Sequence, residues 1–229
     1  MSVMKTVVWA ACLIAAQVSA ADLERARDRQ DRASLEAGIR ELAAAARKNP
    51  GDARAYYRLA LAGSYLSEVA LELRDKQLAR SAAEEGIRAA EQAVAFDTGV
   101  AEHHRILGTL CGQVIPANVL SGLKYGKCAK EEIDKAVELD ANSAAAYLSR
   151  GIGNYYLPEA FGGGVEPAIR DIRKAIELNP KSAEAHLWLG VALRKANRNT
   201  EARKSFEKSL ALNPARVWAK QQLEKTPAQ

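Results

Sequence analysis

The chain of 229 residues has 33 lysines and arginines against 28 aspartates and glutamates, a formal charge of +5, with 48% hydrophobic but only 6% aromatic residues. Alanine, leucine, glutamate, arginine and lysine dominate, and no run of alternating β-branched residues is present, so a sheet-based core is excluded and an all-α fold is expected. Basic residues alternate with acidic ones along helical stretches, as in Glu132–Lys135, and form no stripe interleaved with aromatics, so nucleic acid is not an expected partner.

Residues 1–20 read as a secretory signal peptide: Lys5 is a short basic start, Val7 to Val18 is apolar, and Val18-Ser19-Ala20 supplies small residues before a cut. The apolar stretch is short for a membrane span, and the residues around Cys12 do not suit a lipid-anchored cysteine. A mature chain starting at Ala21 or Asp22 and residing in the periplasm or outside the cell is therefore expected. Residues 21–52 are charged, then alanine-rich, and Leu35, Ile39, Leu42 and Ala46 share one helical face, as in a capping segment.

Residues 53–98 lack proline between Tyr56 and Asp97, so two long helices are expected, with a turn near Arg74-Asp75-Lys76. Residues 99–141 contain Gln113-Val114-Ile115-Pro116-Ala117-Asn118, which stops a helix, and Gly122 and Gly126, which are expected to break the next one. This loop is either a binding surface or a packing elbow between neighbouring units. Residues 142–180 carry Pro158 and Gly162-Gly163-Gly164. No Lys-Ser/Thr succeeds the glycines, so a phosphate-binding loop is not indicated, and a wide turn with Phe161 tucked inward is expected.

Residues 181–214 hold two amphipathic patterns. Leu187, Leu189, Val191 and Leu193 cluster near Trp188, and Ala202, Phe206, Ser209 and Leu210 recur at three- and four-residue steps. Between them lies Asn197-Arg198-Asn199-Thr200, where Asn tolerates a left-handed turn and Thr200 is placed to cap the next helix. Asn213-Pro214 ends the second pattern. Asn179-Pro180 precedes it by 34 residues, and KAIELNP parallels KSLALNP. KAVELDA, QAVAFDT and AAARKNP hold the same place in earlier units, which are longer than 34 residues by 5, 9 and 14. Residues 215–229, with Val217, Trp218, Gln221 and Leu223, read as a solvent-facing closing helix.

Gly190, Ala202, Phe206 and Pro214, with Leu189 before the glycine, resemble the small, small, aromatic and proline positions of the tetratricopeptide repeat. The chain thus resembles an exported bacterial-type protein of that family with enlarged repeats. The resemblance implies a right-handed superhelical α-solenoid of antiparallel helix pairs, with insertions in the middle repeats. The long-insert layout is also similar to that of the microtubule-dynamics regulator family, although the leader reads against that function. Tetratricopeptide arrays bind peptides or protein segments in a concave groove lined by first helices. Carried over by register, the groove positions are Arg54, Tyr57, Leu61 and Tyr65; Arg105, Thr109 and Gln113; Leu148, Ile152, Tyr155 and Tyr156; and Leu187, Val191, Arg194 and Lys195. The lysine–asparagine carboxylate clamp of some members is missing from these positions.

The resemblance places Cys111 on a first helix and Cys128 near the start of the antiparallel second, so in an exported chain they are candidates for a disulfide; buried free thiols are the alternative. A metal site from His103, His104, Cys111 and Cys128 is disfavoured, because His104 and His186 share a repeat position that packs. No cofactor fingerprint, Ser/His/Asp set or paired-carboxylate motif supports an enzyme. The expected function is a protein-interaction scaffold. The alternative is a periplasmic small-ligand-binding accessory protein of a transport system, which requires an enclosed apolar pore between the long helices.

Overall fold

The computed structural model describes residues 18–117 and 120–228. The expected leader therefore lies almost wholly outside the described residues, as does Asn118 of the elbow. The chain runs as α1 (Ala20–Asp28), α2 (Arg32–Lys48), α3 (Ala53–Glu72), α4 (Lys76–Phe96), α5 (Ala101–Val114), α6 (Ser121–Leu139), α7 (Ala144–Tyr156), α8 (Val165–Leu178), α9 (Ala183–Lys195), α10 (Asn199–Leu212) and α11 (Val217–Glu224). No strand occurs among the described residues. Each helix packs chiefly on its sequence neighbours, and the first helices α3, α5, α7 and α9 also pack on one another in order. The architecture is an α-solenoid.

Short polar residues set the helix starts. Asp31, Asp52, Asp75, Ser143 and Ser182 each accept a hydrogen bond from a backbone N–H two or three residues on. The chain reverses at Gln30, Arg74 and Asn197, all with positive φ. Thr200 does not cap α10. That helix already starts at Asn199, the N-cap residue is Arg198, and its guanidinium donates to Glu201.

One seam joins each pair, and Gly190 packs on the Phe206 ring, Gly151 on Ile172 and Gly108 on Ile133. The interhelix insertions leave this step unchanged. In α3–α4 the partner is another glycine: a methyl group on Gly63 would stand 3.1 Å from Gly86 Cα and 3.2 Å from the Ala82 carbonyl oxygen. The 14 extra residues of this unit are found in 20- and 21-residue helices where α9 and α10 have 13 and 14. Two extra turns are thus added to each helix.

Three further expectations change. α6 runs unbroken through Gly122 and Gly126, because the contacts of its later turns, Ile133 and Ala136, fix the helix against α5. Phe161 is 73% exposed; the turn is closed instead by the backbone, with the Gly164 N–H donating to the Asn154 carbonyl and Gly163 pressed on Leu157. α11 is not simply solvent-facing, since Ala219 and Gln222 are buried. The core forms three clusters: one around Leu23, Leu35, Leu66 and Val69, one around Ile87, Ile106 and Leu110, and one around Ile172, Leu187, Leu193 and Phe206.

Candidate functional site

The first helices present their inner stripe to one another, and much of the expected groove is used internally. The Tyr57 hydroxyl donates to Glu102 at 3.3 Å, and the Arg105 guanidinium donates to Glu102 at 2.8 Å and to Ser149 Oγ at 3.4 Å. Thr109 Oγ1 donates to Ser149 Oγ at 3.1 Å, and Gln113 exchanges hydrogen bonds with Ser64. Burial works against the Arg105 charge, but Glu102 outweighs it and raises the guanidinium further, and Arg105 in turn holds the Glu102 carboxyl low. Leu61, Leu187 and Val191 are buried core residues, and Leu148 and Ile152 pack against the last cluster. Arg194 turns toward the C-terminal end, donating to Gln222 and Thr226. Arg54 is exposed.

Tyr155 and Tyr156 meet at 4.9 Å edge to face, and both face Trp188, which meets Trp218 at 5.3 Å. Lys195 lies 4.2 Å above the Tyr155 ring and donates to the Tyr155 carbonyl. The four rings form a shelf of which Tyr156 is 52% exposed.

Beside this shelf the two ends of the array meet. Arg216, in the turn after α10, is 1% exposed. It donates to Glu68 at 2.5 Å, Glu72 at 2.5 Å and Glu184 at 3.2 Å, and lies 3.8 Å from Asp28. Arg27 pairs with Asp28 at 2.7 Å, lies 3.8 Å from Glu184, and covers the Tyr65 ring at 5.0 Å. The Asn213 amide donates to Asp28 at 2.7 Å, and Gln30 donates to Glu72 at 2.9 Å and meets Gln221. Burial and Glu184 push the Glu68 carboxyl up to about 8, and burial raises Glu72 despite Arg216. Glu184 is also buried, but Arg216 and Arg27 prevail and lower it. The sequence reading missed this cluster. One signal was available: Glu68 and Glu72 continue the inner stripe of Tyr57, Leu61 and Tyr65, with no basic residue four positions from Glu68 on its own helix.

Cys111 and Cys128 are disulfide-bonded, with Cα atoms 6.0 Å apart, and tie the third turn of α6 to α5. Their sulfurs therefore offer no thiolate for a metal. His104 is held by Glu132 at 2.7 Å and the Thr98 carbonyl, and His186 by the carbonyl of Pro180, six residues before it as Thr98 is before His104. Between α3 and α4 the buried seam of Ala60, Gly63, Ala83, Gly86 and Ala90 brings the two backbones close together. An open depression between α1 and α2 has Leu23, Ala26 and Ala37 in its lining and Asp22, Arg25, Arg29, Asp31 and Glu41 around them.

Comparison with known proteins agrees with this architecture. The family model described as "Regulator of microtubule dynamics protein 1-3" matches residues 14–159, more than half of the chain, and a tetratricopeptide-repeat model matches residues 162–216. The crystal structure of TTC0263, a thermophilic TPR protein of Thermus thermophilus, has a TM-score of 0.62 at 20% identity over 84% of this chain and 92% of that one. MamA (TM-score 0.44, 20% identity, 86% and 95% coverage) and YrrB, described as a TPR protein with an unusual peptide-binding site (0.45, 20%, 84% and 84%), are more distant in shape. No curated protein sequence matches. The chain is a tetratricopeptide-repeat protein and belongs to the regulator of microtubule dynamics protein 1-3 family.

Proposed function

We propose that the chain is a non-enzymatic scaffold that binds a peptide or protein segment on its concave face, with the shelf of Tyr155, Tyr156, Trp188 and Trp218 as the docking point. The half-exposed Tyr156 ring, backed by Trp188, carries this reading. Rigid aromatics supply large contact area with little side-chain freedom lost on binding. Lys195 at the rim adds a cation for an acidic or carbonyl group of the partner.

The test is affinity capture with the tagged chain beside Tyr155→Ala/Tyr156→Ala. A protein partner captured by the wild type and lost in the double variant supports groove binding; a small molecule copurifying in native mass spectrometry, with no protein captured, replaces it with the accessory-protein reading. The family description names one defined candidate partner, the microtubule, which co-sedimentation with polymerised tubulin tests. An exported location would separate the chain from that partner. Export is part of the proposal and rests on the Lys5, Val7–Val18 and Val18-Ser19-Ala20 pattern. A mature N-terminus at Ala21 or Asp22, read by mass spectrometry from the native host, supports it; an intact start at Met1 or Ser2 contradicts it.

A further inference from the structure

Joining the two ends of a solenoid is a separate structural act from folding its units. Among the described residues, the first core cluster draws on residues from Val18 to Ala82 and the last on residues from Leu148 to Leu223, with no member in common. Across the junction, charged and amide groups meet: Arg216 with Glu68 and Glu72, Arg27 with Glu184, Asn213 with Asp28, and Gln30 with Gln221. Parting the ends therefore exposes polar groups that water can solvate and leaves each apolar core intact. With the ends joined, Arg216 fills the space in front of the last turns of α3, whereas Arg27 covers Tyr65 from its own end of the array.

We propose that this junction is a latch on the concave face: closed, the chain's own Arg216 occupies the last turns of the inner stripe of α3, and parting of the ends opens Glu68 and Glu72 to a basic protein segment that takes the place of Arg216. The proposal rests on the groove-binding reading above and adds its regulation. A segment that binds only the open form binds the whole population more weakly by the fraction that is open, so forcing the latch open strengthens binding and locking it shut abolishes binding at the stripe.

The experiment uses the full chain in two forms. Arg216→Ala removes the cation shared by Glu68, Glu72 and Glu184 and leaves three acidic groups facing one another with only Arg27 close to Glu184, which forces the ends apart. Gln30→Cys/Gln221→Cys, with Cys12→Ser, joined by a bismaleimide, holds them together. Circular dichroism confirms that helix content is kept; if Arg216→Ala loses it, Asn213→Ala/Gln221→Ala is the milder opening variant. The probe is a phage-displayed dodecapeptide library selected on the opened form. The expected result is a larger radius of gyration in solution scattering for the opened form, and enriched peptides that bind it at least about tenfold more tightly than the locked form. Equal binding to both forms, or an unchanged radius with helix content retained, overturns the latch and leaves the groove reading standing. If the radius rises but no peptide is enriched on any form, the groove reading falls and the gating role falls with it.

Discussion

The last repeat and the first full repeat solve the same packing problem in opposite ways. In α9–α10 a glycine receives a large ring, Gly190 under the fully buried Phe206. In α3–α4 glycine meets glycine, and alanines line the rest of the seam. Close approach there lets the backbones themselves supply the dispersion contacts that a ring supplies in the last unit. The lengths differ as well, 20 and 21 residues against 13 and 14. Seven more residues extend α3 by about 10 Å, and that extension carries Glu68 and Glu72 to the far end of the array, where Arg216 binds them. The enlargement of one repeat is thus what lets the solenoid meet itself.

This contrast predicts that the two seams fail in opposite directions. Phe206→Ala should cost about 3–5 kcal/mol, because a fully buried ring leaves a cavity. Gly63→Val should cost about 1–3 kcal/mol by overpacking against backbone that cannot turn aside. Denaturant unfolding measures both, and a freely tolerated Gly63→Val would break the comparison. The Cys111–Cys128 disulfide, closing a loop with a sequence separation of 17, should contribute about 3 kcal/mol. Cys111→Ser/Cys128→Ser, compared with the oxidised chain, reads that value.

A third prediction concerns pH. Facing Glu68 are Arg27 from α1, Tyr65 and Glu72 from its own helix, Tyr156 from α7, Glu184 from α9 and Arg216. Folded, Glu68 keeps its proton up to about pH 8; unfolded, it releases it near 4.5. Between these values the folded chain binds more protons, so this group makes stability fall as pH rises from about 4.5 to about 8, by at most about 1.4 kcal/mol per unit. Glu184 works the other way: its contribution is present above its unfolded value and is lost as pH falls through its lowered folded value. Melting temperatures should therefore decline from about pH 5 to about pH 8 and level off above it, and Glu68→Gln should flatten the decline. An unchanged slope in that variant contradicts the assignment. The smallest effect is at the first helix, where Ser19 and Asp22 form a capping box on α1. Ser19→Ala should cost about 1 kcal/mol, and cleavage after Ala20 would remove the same cap.

Local features were legible in the sequence because their causes are local. The absence of proline between Tyr56 and Asp97, with 14 residues in excess of the repeat, implied two longer helices, and the left-handed Asn197 came from its side chain. Gly122 and Gly126 misled because glycine's propensity cost is about 1 kcal/mol per residue, which packing of the later turns of α6 against α5 outweighs. Phe161 misled because hydrophobicity alone does not say whether a turn has an interior to offer. The Arg216 cluster was hidden for a different reason. Its partners lie 144 and 148 residues away, and whether they meet depends on the rotation accumulated over every intervening repeat, which no local spacing encodes. Register also carried Leu187, Val191 and Arg194 onto the groove, whereas Leu187 and Val191 are buried in the last core cluster and Arg194 is held by Gln222.

The most direct test of end-to-end closure is a double-mutant cycle on Asp28 and Asn213, which are 185 residues apart and joined at 2.7 Å. Closure predicts that Asp28→Ala and Asn213→Ala are coupled by about 0.5 kcal/mol or more in unfolding free energy. Strictly additive effects of the two substitutions would mean that the ends do not meet in solution.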